Sequence, residues 1–132
     1  MLSRIRELTE SVILLVSRPR IRFDENLRGQ LPVTCGVYRI TELNSDWRQT
    51  LYVGRTTNLQ QRLYHDLWQG NEQTHSLNRT LLRGGLENRE AVVQYLRTRC
   101  AIQFLEIRDE RACCWLEHFA IATLRPKWND PE

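Results

Sequence analysis

A glutamate in an apolar setting is the sharpest chemical signal in this chain. Stepping about 100° per residue through the segment that ends near Leu124, the side chains of Cys113, Leu116, Phe119, Ala120, Ile121, Thr123 and Leu124 fill one broad apolar arc. Arg111, His118 and Arg125 gather on the opposite, wet side. Glu117 falls between Leu124 and Ile121 and is the one charged residue inside the arc. A carboxylate there is costly unless a cation meets it. Two readings follow: an ion pair with one of the chain's arginines, or a functional carboxylate, most simply a ligand for a divalent metal. Earlier in the chain Arg62 precedes His65 by three residues and Asp66 by four, so all three can meet on one flank of a helix. By themselves Arg62 and Asp66 read as a surface ion pair worth under about 1 kcal/mol, and His65 as an exposed polar residue. Tyr38 and Tyr52 read as ordinary strand residues.

The elements that must position these groups follow from hydrophobic period and punctuation. Residues 2–17 place Leu2, Ile5, Leu8, Val12 and Leu15 at helical spacing, which predicts a helix packed on the core or, as its competitor, a dimer contact. Pro19 ends it. Arg18, Arg20, Arg22 and Arg28 make the next stretch basic, either a solvated connector or an extra phosphate-contacting arm. Strands are expected over 35–42 and 50–55, joined by a polar loop into an antiparallel hairpin. Tyr38 and Ile40 then share one face, and Tyr52 and Gly54 lie together along the second strand. Thr57, with Gln60 three residues on, predicts a capping box for a helix over 58–67 that buries Leu59, Leu63 and Leu67. Short helices are expected over 75–86 and 88–97, and a strand over 101–108 whose apolar run suits a central place in the sheet. Asp109 is placed to cap a final helix that stops before Pro126. The expected fold is α+β, a small, mostly antiparallel three-stranded sheet flanked by helices with an extra N-terminal helix. Residues 1–34 form the N-terminal helix and basic connector, and 35–132 form the main domain.

Two motifs tie the hairpin to a known family. Gly36-Val37-Tyr38 and Tyr52-Val53-Gly54, each with valine in place of isoleucine, resemble the paired signatures of the GIY-YIG nuclease superfamily. The later positions agree. An essential arginine follows the family's second-signature tyrosine by ten residues, as Arg62 follows Tyr52 here. A metal-binding glutamate on a late helix leads into a phrase ending in proline and asparagine, as Glu117 leads to Pro126 and Asn129. The resemblance spans residues 35 to 129. Two departures stand out: Arg55 replaces a frequent lysine, keeping the charge but not the ability to titrate, and Asp66 stands where many members carry histidine or tyrosine. His65 or His75 is left to take that role.

The resemblance implies a metal-dependent endonuclease that hydrolyses DNA phosphodiester bonds, with the residues in these parts. Glu117 holds one Mg²⁺ or Mn²⁺, a normal arrangement for an ion that keeps most of its waters. Arg62 binds non-bridging phosphate oxygens and offsets charge in the transition state. Tyr52, or Tyr38 beside it, orients or deprotonates the attacking water; as a base, a phenol of ordinary pKa about 10 needs a nearby cation such as Arg55. His65 or His75 assists proton transfer, while Arg55, His75 and Asn129 contact the substrate. The alternative is a nucleic-acid- or partner-binding module that keeps the fold without turnover.

Composition bounds these readings. The 132 residues can bury a core without staples, and 41% hydrophobic with 27% charged residues is the balance of a folded globular chain. A net charge of +3 permits a phosphate-rich partner without demanding one. Cys35, Cys100, Cys113 and Cys114 lack zinc-knuckle spacing and read as small apolar residues in a reducing compartment. The longest aliphatic run, 12–16, is too short to span a membrane, and the charged N-terminus lacks a signal-peptide layout, so a cytoplasmic location is expected. No base-reading motif is present, so DNA contacts should be backbone-dominated and salt-sensitive. Specificity would then come from DNA shape, a partner protein or a homodimer.

Overall fold

Alternation along residues 36–42 sets the layering of the molecule. In the computed structural model, which describes residues 2–44, 49–68 and 88–129, the elements in chain order are α1 (Leu2–Ser17), β1 (Ile21–Arg22), α2 (Leu27–Gln30), β2 (Gly36–Glu42), β3 (Tyr52–Thr56), α3 (Gln61–Trp68, wound as a π-helix), α4 (Arg89–Arg99), β4 (Cys100–Glu106) and α5 (Glu110–Leu124). The strands form one sheet in the order β1-β4-β2-β3, and every neighbouring pair is antiparallel. Period two sends Tyr38 and Ile40 of β2 to one face and Val37 to the other. Opposite Tyr38 stand Gly54 on β3 and Phe104 on β4, and opposite Ile40 stand Tyr52 and Ile102.

Each face carries its own core. Tyr38, Ile40, Tyr52 and Ile102 pack with Phe23, Leu27, Leu59, Leu63, Val92 and Leu96, so α2, α3 and α4 cover this side. Val37 and Val53 pack with Val12 and Leu15 of α1 and with Cys113, Leu116 and Ala120 of α5 on the other. Burying each large aliphatic side chain contributes about 1.5–3 kcal/mol, enough in sum to hold helices on both sides. The central place expected for the strand near residue 101 is realised by β4.

Three expectations are corrected. The sheet has four strands, not three, because the basic connector is tied to the protein itself. Arg20 donates to Thr41 Oγ1 from Nε and Nη2 at 3.0 and 2.8 Å and to the Glu42 carbonyl at 2.9 Å. Arg22 Nη2 reaches the Arg97 carbonyl at 3.3 Å, and Phe23 is buried. Held there, Ile21 pairs with Ile102 and extends the sheet past β4. The α1 stripe is the second correction: Val12 and Leu15 are buried, but Leu2 is 81% exposed and Ile5 46%, so the first turns overhang the core. There Arg4 lies over the Trp115 ring at 5.2 Å. Third, the capping box of Thr57 and Gln60 does not form. Asn58 Oδ1 accepts from the Gln61 amide at 2.9 Å, and Thr56 Oγ1 accepts from the Asn58 amide at 3.1 Å. Gln60 Nε2 turns away to the Arg28 and Leu31 carbonyls. The helix expected over 75–86 lies outside the described residues.

Asp109 caps α5 as expected, accepting from the amides of Arg111 and Ala112 at 2.9 and 3.4 Å. Among the described residues no helix is long and apolar enough to cross a membrane.

Candidate active site

The hairpin register places Arg55 opposite Val37, on the face that α5 covers. From there its Nε donates to Glu117 Oε1 at 2.9 Å. The Glu117 side chain is only 17% exposed, against 46% for Arg55, so the carboxylate draws its charge compensation from the arginine. The hydrogen bond in turn holds the Arg55 guanidinium protonated beyond its ordinary range. His118 Nε2 stands 3.9 Å from the same oxygen. Of the two readings of Glu117, the ion pair is therefore present, with Arg55 as partner.

Beside this pair, at the end of the sheet where α3 and the start of α5 converge, lies a cavity of about 350 Å³. Arg55, Thr56, Thr57, Arg62, Glu110, Cys35 and Cys113 wall it. Arg62 stands one residue beyond the Gln61 amide that Asn58 caps. Its Nε is buried and has no hydrogen-bond partner among the described residues. A buried polar atom left so costs about 1–3 kcal/mol, and an anionic oxygen in the cavity would remove that cost. The floor is apolar: burial, with Cys35 beside it, pushes the Cys113 thiol up to about 11, so it stays a neutral thiol near pH 7. All four cysteines are free.

Tyr38 and Tyr52 lie on the other face of the sheet, buried, with ring centroids 6.1 Å apart. A β-carbon at residue 54 would stand 2.5 Å from both Cζ and Oη of Tyr38. Gly54 thus lets the Tyr38 hydroxyl rest against the β3 backbone, a position no larger residue would leave it. Gly36 does the same for Leu59 and the Leu105 carbonyl, at 2.5 and 2.6 Å. His65 is half-buried and meets Tyr64 edge to face at 4.9 Å. Neither tyrosine nor His65 lines the cavity.

Asn129 is placed otherwise than expected of a substrate contact. Its Oδ1 accepts from the Val53 amide and its Nδ2 donates to the Val53 carbonyl, each at 2.9 Å. Both ends of the amide are thus engaged on β3. His75 and the Asp66 side chain lie outside the described residues. Of the expected site residues, then, Arg55 and Arg62 share the cavity, Glu117 joins through Arg55, and the tyrosines stand together behind β3.

Sequence reasoning missed Glu110, a carboxylate on the cavity wall. An acidic residue in the first turn of a helix is what the helix dipole favours anyway, so nothing marked it out. It also missed Arg39, which is 1% exposed and hydrogen-bonded to Thr50 Oγ1 at 2.8 Å and Gln103 Oε1 at 2.6 Å. Burial, and then the charge of Arg20, lower its pKa to about 10.

Among the described residues no three His, Cys, Asp or Glu side chains converge as a metal cage. Glu117, a largely buried carboxylate that Arg55 meets on Oε1, suits Mg²⁺ or Mn²⁺ held mostly through water and does not suit zinc.

No protein-family model matches the chain, and no curated protein matches it at a significant level. Among solved structures, the GIY-YIG N-terminal endonuclease domain of UvrC from Thermotoga maritima, bound to its catalytic magnesium, superposes with a TM-score of 0.53 at 19% identity, covering 81% of this chain and 99% of that one. A tyrosine-to-phenylalanine point mutant of that domain, bound to the catalytic divalent cation, gives 0.53 at 18% identity over 81% and 98%. An asparagine-to-alanine mutant gives 0.52 at 18%, again over 81% and 98%. The chain therefore has a GIY-YIG-like fold.

Proposed function

We propose that this chain is a divalent-metal-dependent endonuclease that hydrolyses DNA phosphodiester bonds at the cavity between Arg62 and the start of α5. The observation that carries the reading is the buried, unpartnered Nε of Arg62, a residue on the wall of that cavity, beside the Arg55–Glu117 pair. Likeness of the fold to endonuclease domains bound to a catalytic cation supports it.

In this reading Arg62 takes a non-bridging oxygen of the scissile phosphate, satisfying Nε and offsetting the charge that grows in the transition state. Glu117 would hold Mg²⁺ or Mn²⁺, and the ion would supply Lewis-acid chemistry at the phosphate. Arg55, half-exposed, exchanges its contact with Glu117 for a substrate phosphate. Tyr38 and Tyr52, buried on the far face of the sheet, back the β3 strand that carries Arg55 rather than orient the attacking water, and His65 lies off the cavity wall. Asn129 acts one step back, fixing β3 through Val53 so that Tyr52 and Arg55 are held in register.

A silent binding module on the same fold is the second reading, favoured by the ion pair that already satisfies Glu117. The experiment that separates them is Glu117→Ala assayed on plasmid, branched and single-stranded DNA with Mg²⁺, Mn²⁺ or EDTA. The nuclease reading expects metal-dependent cleavage by the parent, lost in the variant with DNA affinity retained. Salt-sensitive binding without cleavage on every substrate would sustain the binding module instead.

A further inference from the structure

A second cavity, of about 390 Å³, lies at the opposite end of the β3–α5 pair and is lined by Gln49, Thr50, Leu51, Leu124, Arg125 and Lys127. Its cations are placed with unusual firmness. Arg125, just past α5, has φ of 52° and is the one non-glycine residue with positive φ among the described residues. That left-handed position at a helix end ordinarily goes to glycine, and a residue with a β-carbon costs roughly 1–2 kcal/mol there. The chain cannot relax around it. The Arg125 amide is bonded to the Ile121 carbonyl at 3.1 Å, Pro126 is buried, and the Lys127 and Trp128 amides donate to the Thr50 and Leu51 carbonyls at 3.0 and 2.8 Å. Asn129 closes the clamp on Val53. Arg125 and Lys127 are both exposed, and neither makes an ion pair among the described residues. The dipole of α5 accounts for a cation near its C-terminus. It does not account for an arginine where glycine is favoured, nor for a second cation two residues beyond on the same cavity.

Held strain with unpaired charge is a mark of a binding site. We propose that Arg125 and Lys127 form a second phosphate-binding site that seats the backbone of the same DNA whose scissile phosphate enters the first cavity. This rests on the reading that DNA is the substrate. The geometry suits it. From Cys113 at the first cavity to Leu124 at the second, α5 advances eleven residues, about 17 Å. That is the axial span of about five nucleotides of duplex. The second site therefore sets where along the strand the first one acts, and it reads no base.

The test is the salt dependence of binding to a fluorescently labelled duplex long enough to cover both sites, in EDTA so that nothing is cut. The variant is Arg125→Gly with Lys127→Gln, in which glycine suits the backbone; Arg125→Asn with Lys127→Gln repeats it with a second residue that tolerates this conformation. Both should lower the slope of log affinity against log salt by about two and weaken binding on the order of tenfold. On a duplex too short to reach the second site, parent and variants should bind alike. If the parent binds and the slope is unchanged in both variants, the second site is overturned while the nuclease reading stands. If the slope falls but the parent cuts no DNA with any metal, the site stands and the nuclease reading falls. A parent without salt-dependent binding overturns both.

Discussion

Arg62 and Glu117 are both charged and both largely withdrawn from water, yet their needs differ. Glu117 Oε1 is met by Arg55 at 2.9 Å, whereas Arg62 Nε has no partner among the described residues. One group is satisfied within the protein and the other is not. The Arg55–Glu117 contact is half-exposed on the arginine side, so it adds under about 1 kcal/mol to stability. Its larger effect is on what else the carboxylate can bind. Replacing Arg55 by glutamine removes the competing cation. We expect thermal stability nearly unchanged and Mn²⁺ bound more tightly in the absence of DNA, as read by titration of the free Mn²⁺ signal in electron paramagnetic resonance. Affinity unchanged or weakened would count against Glu117 as the metal carboxylate.

At the scale of elements, β3 is the strand on which the site depends, and it is an edge strand. Unpaired edges invite other chains. Here the segment after α5 lies along that edge, through Lys127 on Thr50, Trp128 on Leu51 and the Asn129 amide on Val53. Asn129→Ala removes both side-chain bonds and should cost roughly 1–3 kcal/mol. Hydrogen exchange should report it locally, with the Val53 amide exchanging much faster while those of β4 keep their protection. Equal protection at Val53 in both proteins would mean that the asparagine does not hold the edge. Elements with strong periodicity were legible in the sequence: α1, both strands of the hairpin, β4 and α5 with its Asp109 cap stand where their patterns predicted. Two-residue β1 was not, because Ile21 and Arg22 are too few to show a period. The bond of Arg20 to Thr41, which pins that stretch, joins residues 21 positions apart. The isolation of Glu117 in an apolar arc was visible from spacing alone. Its partner was not, since Arg55 reaches it only through the packing of α5 on β3. For the same reason Asn129 was read as facing a substrate, when the fold turns it onto a strand edge.

For the whole molecule, two helical layers around one antiparallel sheet leave functional groups at the sheet's ends rather than on its faces. The first cavity opens where β2 begins and β3 finishes, and the second where β3 begins. In the proposed reading, the cations at both ends of one strand follow a phosphate backbone. In the same reading the first cavity holds the phosphate to be cut. The most direct test is nicking of supercoiled plasmid by the wild type and by Arg62→Ala, with Mg²⁺ and with EDTA, alongside DNA affinity. Nicking should require the metal and fall on the order of 100-fold or more in the variant, with affinity little changed. Nicking undiminished in Arg62→Ala, or indifferent to EDTA, would contradict it.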